Sequence, residues 1–232
     1  MTLIRVNEKD FSGMNFDISY TIDAFPRLLE GAMITVVASL LCFVLSLLLG
    51  TVLTVVRSLE TRPINAVIAI YISFIRGTPV LIQIFLAYYV LPVVGIDLQA
   101  FTAGILAVTL NSAAFTTEIL RGGLKSVPNG QLEAAHSIGL KPSIIWLKVV
   151  LPQAYIASIP PLVNEFTLVV KTTPLLAVIT VVELTRVAQQ IYGSNYHPIE
   201  VLIGAFGIYF FICFPISRAS AGLERRFAMR RG

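Results

Sequence analysis

Apolar runs long enough to cross a bilayer recur along this chain, and short clusters of charge separate them. From Gly31 to Val56 no charged residue occurs over 26 positions, and about 20 apolar residues suffice for a hydrocarbon core about 30 Å thick. Ile64 to Leu91 forms a second run of 28 residues whose one charge is Arg76. At about 1.5 Å per residue a helix of that length reaches about 42 Å, so it has to tilt, kink or break. Gly77 and Pro79 supply the place, because Pro79 has no N–H for the carbonyl of Ile75. Further spans are expected from about Leu98 to Leu120, from about Leu151 to Lys171 with an interruption at Pro160-Pro161, and from about Pro198 to Ser217. The pattern predicts an all-α, polytopic membrane protein of about five transmembrane helices. Residues 1–30 read as an extracytoplasmic tail leading into the first span, 31–227 as a single transmembrane domain, and 228–232 as a cytoplasmic basic tail. The segment 1–30 has neither the basic start nor the small-residue cleavage site of a signal peptide.

The basic residues orient these spans, since cytoplasmic loops retain lysine and arginine. Arg57 and Arg62, then Arg121, Lys125, Lys141 and Lys148, then Arg218, Arg225, Arg226, Arg230 and Arg231 fall on one side. The other side has Arg5, Lys9, Arg27, Lys171 and Arg186. An outside N-terminus, a cytoplasmic C-terminus and five crossings follow.

Composition narrows the chemistry. Charged residues make up 13% of the chain and hydrophobic ones 56%, with mean hydropathy +0.83; soluble domains carry about 25% charge. The net charge of +4 sits at the ends of apolar stretches rather than in an aromatic-interleaved patch, which fits a membrane surface and no nucleic acid. Cys42 and Cys213 lie in apolar runs without CxxC spacing, so both read as packing residues and no metal site is expected. Gly122-Gly123-Leu124-Lys125-Ser126 lacks the glycine directly before lysine of a phosphate loop, and no HExxH or GxSxG occurs. The chain is therefore expected to be no enzyme and to bind no ATP itself.

The linker of about 121–152 is the most informative segment. Pro128-Asn129 starts a helix, Glu133 to Ile138 continues it, and Gly139 can take the left-handed position that ends it. Pro142 then opens a second short helix carrying Ile144, Ile145, Trp146 and Val149. The expectation is a helix–turn–helix held between two spans on the cytoplasmic side. A loop packed on the protein's own surface is the alternative. Glu133, Ala134, Ala135, then Gly139, Val149, Leu151 and Pro152 match in spacing the cytoplasmic loop of the permease subunits of ATP-binding-cassette importers, with Val149 for the usual Ile. The chain resembles that family over roughly residues 28–227, and its expected fold is that of the type I importer permeases.

Further stretches resemble the polar amino acid branch of that family, the histidine, glutamine, glutamate, arginine and opine importers. They are Phe74–Pro79, Leu110–Ala113, Glu118–Gly123, Leu162–Phe166 and Val182–Gln190. Ser73 stands where the branch often has Glu, and Lys171-Thr172-Thr173-Pro174 replaces a common Lys-Asp-Thr-Ser. The resemblance implies that Glu133, Ala134, Ala135, Gly139, Leu151 and Pro152 couple the chain to an ATPase dimer, which binds the ATP and magnesium. It also implies a second permease subunit, identical or homologous, and an extracytoplasmic solute-binding protein, all within membrane lipid.

Ionisable groups inside spans are costly and usually face a cavity or a partner. Arg76, Glu118, Glu165 and Lys171 are such groups. Seven-residue spacing aligns Arg76 with Gln83, Asn111 with Glu118, and Asn164 with Lys171, a polar stripe on each of three spans. The candidate pathway set is Arg76, Thr78, Asn111, Ser112, Asn164 and Glu165. Arg76 would hold an α-carboxylate through its forked donors, and Glu165 with Asn164 and Asn111 would receive an ammonium or polar side chain. Mutual pairing of these groups to hold the bundle together is the structural alternative. At the level of function, the alternatives are an ATP-independent, gradient-driven transporter or channel for small polar solutes and a non-transporting membrane scaffold.

Overall fold

The computed structural model describes residues 16–58 and 61–228, and within them the chain is helical with no strand. Helix α1 is Ile18–Ser58, α2 Arg62–Gly77, α3 Val80–Phe85, α4 Ala100–Lys125, α5 Asn129–Ser137, α6 Pro142–Ile145, α7 Leu151–Thr172, α8 Leu184–Asn195 and α9 Pro198–Ala228. The residues before Phe16, with Arg5, Lys9 and Asp10, and those after Ala228, with Arg230 and Arg231, lie outside the described residues. Four stretches are long and apolar enough to span a membrane: α1, α4, Pro142–Ile179 and Pro198–Leu223. Arg62–Gly77 and Val80–Val94, bent by 108°, make a fifth if the pair is one span. This is the helical, four-to-five-span architecture that the apolar runs predict.

Three boundaries differ from the sequence expectation. Helix α1 starts at Ile18, so residues 18–30 are its first turns and not part of a tail. Ala24, Leu28 and Ala32 bury against Leu184, Val187 and Ala188 of α8 and Val201 and Ala205 of α9. Asp23, Arg27 and Glu30 stay exposed on the opposite side. Burying that face carries the helix through a segment whose overall polarity suggested a tail. Helix α7 is not interrupted at Pro160-Pro161. The two prolines keep a helix-compatible φ, and the Ser220 hydroxyl of α9 donates to the Pro160 carbonyl at 3.2 Å.

The third difference concerns the elbow. Only α5 stands alone between spans, because α6 runs through a π-helical turn, Trp146–Val150, directly into α7. The Leu151 N–H bonds the Trp146 carbonyl, one residue before Pro152. The same device recurs at Leu86–Val90, where the Leu91 N–H reaches the Leu86 carbonyl just before Pro92. In both, the wider turn ends where a proline cannot continue the ordinary ladder. Gly139 has φ +77°, as expected from the sequence. Its N–H bonds the His136 carbonyl at 2.9 Å and the Leu140 N–H the Ala135 carbonyl at 3.2 Å, a Schellman stop. Val127, Ala135, Ile145 and Val150 form the elbow's own small core, closed by Leu132, Leu140 and Trp146.

Candidate translocation site

At the bend, Thr78 and Pro79 are extended, with φ/ψ of −121°/145° and −63°/133°. The Ile75 carbonyl, which a continuing helix would bond to residue 79, accepts instead from Gln83 Nε2 at 2.8 Å. The same amide reaches the Thr78 carbonyl at 3.2 Å and the Thr78 hydroxyl oxygen at 2.9 Å. Gln83 Oε1 accepts from Asn111 Nδ2 at 3.0 Å. One buried side chain, 7% exposed, thus satisfies the break and ties it to α4. Irregular backbone at membrane depth needs such partners.

One residue further along α4, the Ser112 hydroxyl donates to Glu165 Oε1 of α7 at 2.8 Å. Glu165 is 6% exposed. Asn111, Ser112, Phe115, Glu165, Leu168 and Thr172 line a cavity of about 220 Å³ with Val108 and Val169. The Arg76 guanidinium, itself exposed, lies 5.3 Å from the ring centroid of Phe115, one of the lining residues. Such stacking stabilises a cation without neutralising it. Among the described residues, no Lys, Arg or His forms an ion pair with Glu165. The arrangement is a small chamber whose wall holds a carboxylate, an amide and hydroxyl groups, with a cation stacked on its Phe115.

The expected stripes come apart in three ways. The 108° bend removes Arg76 and Gln83 from a common helix face. Glu118 does not face the cavity: Arg57 Nη1 donates to it at 2.9 Å, and Arg121 grips both its oxygens. Glu118 is thus paired, but with Arg57 and Arg121, and among the described residues Arg76, Glu118, Glu165 and Lys171 form no ion pair with one another. Asn164 and Lys171 do share an exposed face of α7, but neither lines the chamber. Lys171 lies instead beside Phe206, Tyr209, Phe210 and Cys213 along α9. Of the six pathway candidates, Asn111, Ser112 and Glu165 meet in the chamber, Thr78 joins through Gln83, Arg76 joins through Phe115, and Asn164 stands apart.

The elbow residues divide by exposure. Ala135 is buried in the elbow core, Leu151 half-buried, and Glu133, Ala134, Gly139 and Pro152 exposed. Ile138 and Leu147 add apolar surface there, 75% and 66% exposed. Residues 46–229 match the family described as binding-protein-dependent transport system inner membrane component.

The chain belongs to that family.

It is thus a multi-pass inner-membrane permease subunit of an ATP-binding-cassette importer, and the family implies an ATPase and a solute-binding protein as partners. It is 38% identical over 203 residues to the L-cystine transport system permease protein of Bacillus subtilis, covering 87% of each chain. To the nopaline transport system permease protein of Agrobacterium fabrum it is 36% identical over 212 residues, covering 87% of this chain and 88% of that one. A crystal structure of an amino acid ABC transporter with histidines superposes with a TM-score of 0.85 at 34% identity, covering 92% of this permease and 100% of that chain. The inward-facing methionine transporter MetNI, at 22% identity and TM-score 0.59, shares the fold.

Two residues of consequence carried no role in the sequence reading. Gln83 was visible only as a stripe position, although a glutamine four residues after Pro79 is within reach of the freed carbonyl. Glu183 is fully buried and caps α8, accepting the backbone N–H groups of Thr185 at 3.0 Å and Arg186 at 2.9 Å. It also accepts the Tyr209 hydroxyl of α9 at 2.7 Å and the Thr35 hydroxyl of α1 at 3.4 Å. Glutamate is not among the favoured N-cap residues, so local sequence gave little signal for this three-helix clamp.

Proposed function

We propose that this permease carries polar amino acids or close derivatives, opines included, through the Asn111–Ser112–Glu165 chamber. The observation that supports it most is Glu165 itself: a buried carboxylate with no ion-pair partner among the described residues, bordering a cavity. A substrate ammonium or guanidinium supplies the missing charge, while Asn111 and Ser112 orient it. Arg76, stacked on Phe115, receives the α-carboxylate by a forked, bidentate contact. The cystine, nopaline and amino acid transporters to which the chain is similar carry solutes with those two groups. In the assembled importer two such subunits face each other, which gives Asn164 and Lys171, exposed on α7, water or a partner subunit to face instead of lipid. The N-terminus lies outside and the C-terminus in the cytoplasm.

ATP and magnesium belong to the partner ATPase, which seats on the elbow face formed by Glu133, Ala134, Ile138 and Gly139. Its closure moves α5, and the unbroken α6–α7 path with Leu151 and Pro152 transmits that motion to Glu165. Glu165→Gln in the assembled, folded importer tests the chamber: reduced uptake and altered selectivity, with ATPase activity retained, are expected. Unchanged turnover and selectivity remove Glu165 from the pathway. Gly139→Val tests the elbow separately, since φ +77° strains a β-branched residue. ATP hydrolysis uncoupled from uptake is expected, and normal transport by that variant refutes the coupling role.

A further inference from the structure

A second polar cavity, of about 250 Å³, opens at the end of the bundle from which the elbow departs. It lies where the last turn of α1, the first turns of α2 and the last turns of α4 meet, and Arg57, Ser58, Asn65, Arg121 and Leu124 line it. The two arginines share one carboxylate, Glu118, so this triad carries a net charge of +1. Their contacts to Glu118 use Arg57 Nη1 and Arg121 Nε and Nη2, leaving further guanidinium N–H groups at the cavity. Arg62 and Lys125 are exposed nearby in sequence and raise the local positive charge.

Asn65 supplies a second, independent observation. Its Oδ1 is buried yet has no hydrogen-bond partner among the described residues. Turning the amide over would only exchange an orphaned acceptor for an orphaned donor. Buried polar atoms without partners are rare, and one bordering a cavity points to a group supplied from outside. That group has to accept from arginine and also complement an amide, as a phosphate ester with a neighbouring hydroxyl does. Leu124 in the wall provides apolar surface beside this polar spot, and Ile64 and Val67 leave other parts of α2 apolar and exposed. Basic pockets between membrane helices at that depth suit anionic head groups.

We infer that this cavity binds a phosphate-bearing anion, with the glycerol-type head group of an anionic phospholipid as its occupant. The bound head group bridges α1, α2 and α4. Because α4 leads directly into the elbow, occupancy fixes the base from which the elbow moves. The inference is independent of which solute the importer carries.

The test uses the purified full-length complex in detergent and in nanodiscs of phosphatidylcholine with or without phosphatidylglycerol. Retained lipid is counted by native mass spectrometry, and thermal stability is followed alongside. Wild type is expected to retain phosphatidylglycerol in preference to phosphatidylcholine. Asn65→Asp adds a negative charge without touching the triad and should weaken retention about fivefold, the size expected for one unit charge at an anionic surface. Glu118→Gln shifts the charge the other way and should strengthen it. Inorganic phosphate that displaces the lipid and itself raises the melting temperature identifies free phosphate as the source, whereas failure to compete identifies the lipid. No preference in wild type, or retention unchanged in both variants, overturns the inference.

Discussion

Replacing Gln83 by leucine tests the link between the broken helix and the chamber. Leucine keeps the approximate bulk and removes every polar contact. The Ile75 carbonyl loses its 2.8 Å donor and Asn111 Nδ2 its 3.0 Å acceptor. Each buried polar group left unpaired costs about 1–3 kcal/mol. Asn111 borders the chamber, where water reaches it, so the two together fall in the lower part of the range, about 2–4 kcal/mol. For a chain of this size 1 kcal/mol shifts the melting temperature by about 2–4 °C, so a fall of about 4–16 °C is expected. Gln83→Glu is a sharper control: it can still accept from Asn111 but sets a carboxylate against the Ile75 carbonyl, and should destabilise at least as much. Thermal unfolding of the purified complex and uptake into proteoliposomes are the assays. Both variants melting within about 2 °C of wild type, with normal uptake, would refute the claim that Gln83 holds the bend.

Other consequences are checked in the same preparations. Glu183→Ala removes the cap of α8 and strands two backbone N–H groups, while the Tyr209 hydroxyl keeps the Thr185 hydroxyl at 2.9 Å; a loss of about 2–6 kcal/mol is expected in thermal unfolding. Glu183→Gln keeps an oxygen for Thr185 and Tyr209 but turns an amide donor toward the Arg186 N–H, so its loss should be about a third to a half as large. Gly123→Ala places a methyl 2.5 Å from the Ala154 carbonyl oxygen and 2.2 Å from Ser158 Oγ. Overpacking of that kind costs about 1–3 kcal/mol by unfolding, and Gly122→Ala, which meets open space, should cost far less. Trp146, the chain's one tryptophan, packs on the elbow core; its emission should change when an ATPase lacking tryptophan docks, and no change would argue against docking at that face.

The elbow shows how far local sequence reaches. Gly139 was legible because a helix stop followed by a left-handed residue is set within a few positions. The continuity of α6 with α7 was not legible, since Pro142, Trp146 and Pro152 read equally well as two short helices. Whether they join depends on the Val127–Ala135–Ile145–Val150 core, whose members come from separate segments. The chamber divides in the same way. Asn111, Ser112 and Glu165 stood out as polar groups in apolar runs. Seven-residue alignment then paired Glu118 with Asn111, although two arginines from other turns claim it.

The sequence by itself determined that this chain is a membrane bundle, that it breaks at Gly77–Pro79, and where its elbow stops. Each of these follows from run length, a missing N–H or a permitted φ, and none requires a distant neighbour. Only the tertiary structure decided that Gln83 closes the break, that Glu165 borders a chamber with no ion-pair partner among the described residues, and that Glu183 clamps three helices. Those outcomes depend on which faces of α1, α4, α7, α8 and α9 come together. In a bundle, the partner of a buried polar group comes from another helix, at no fixed distance along the chain.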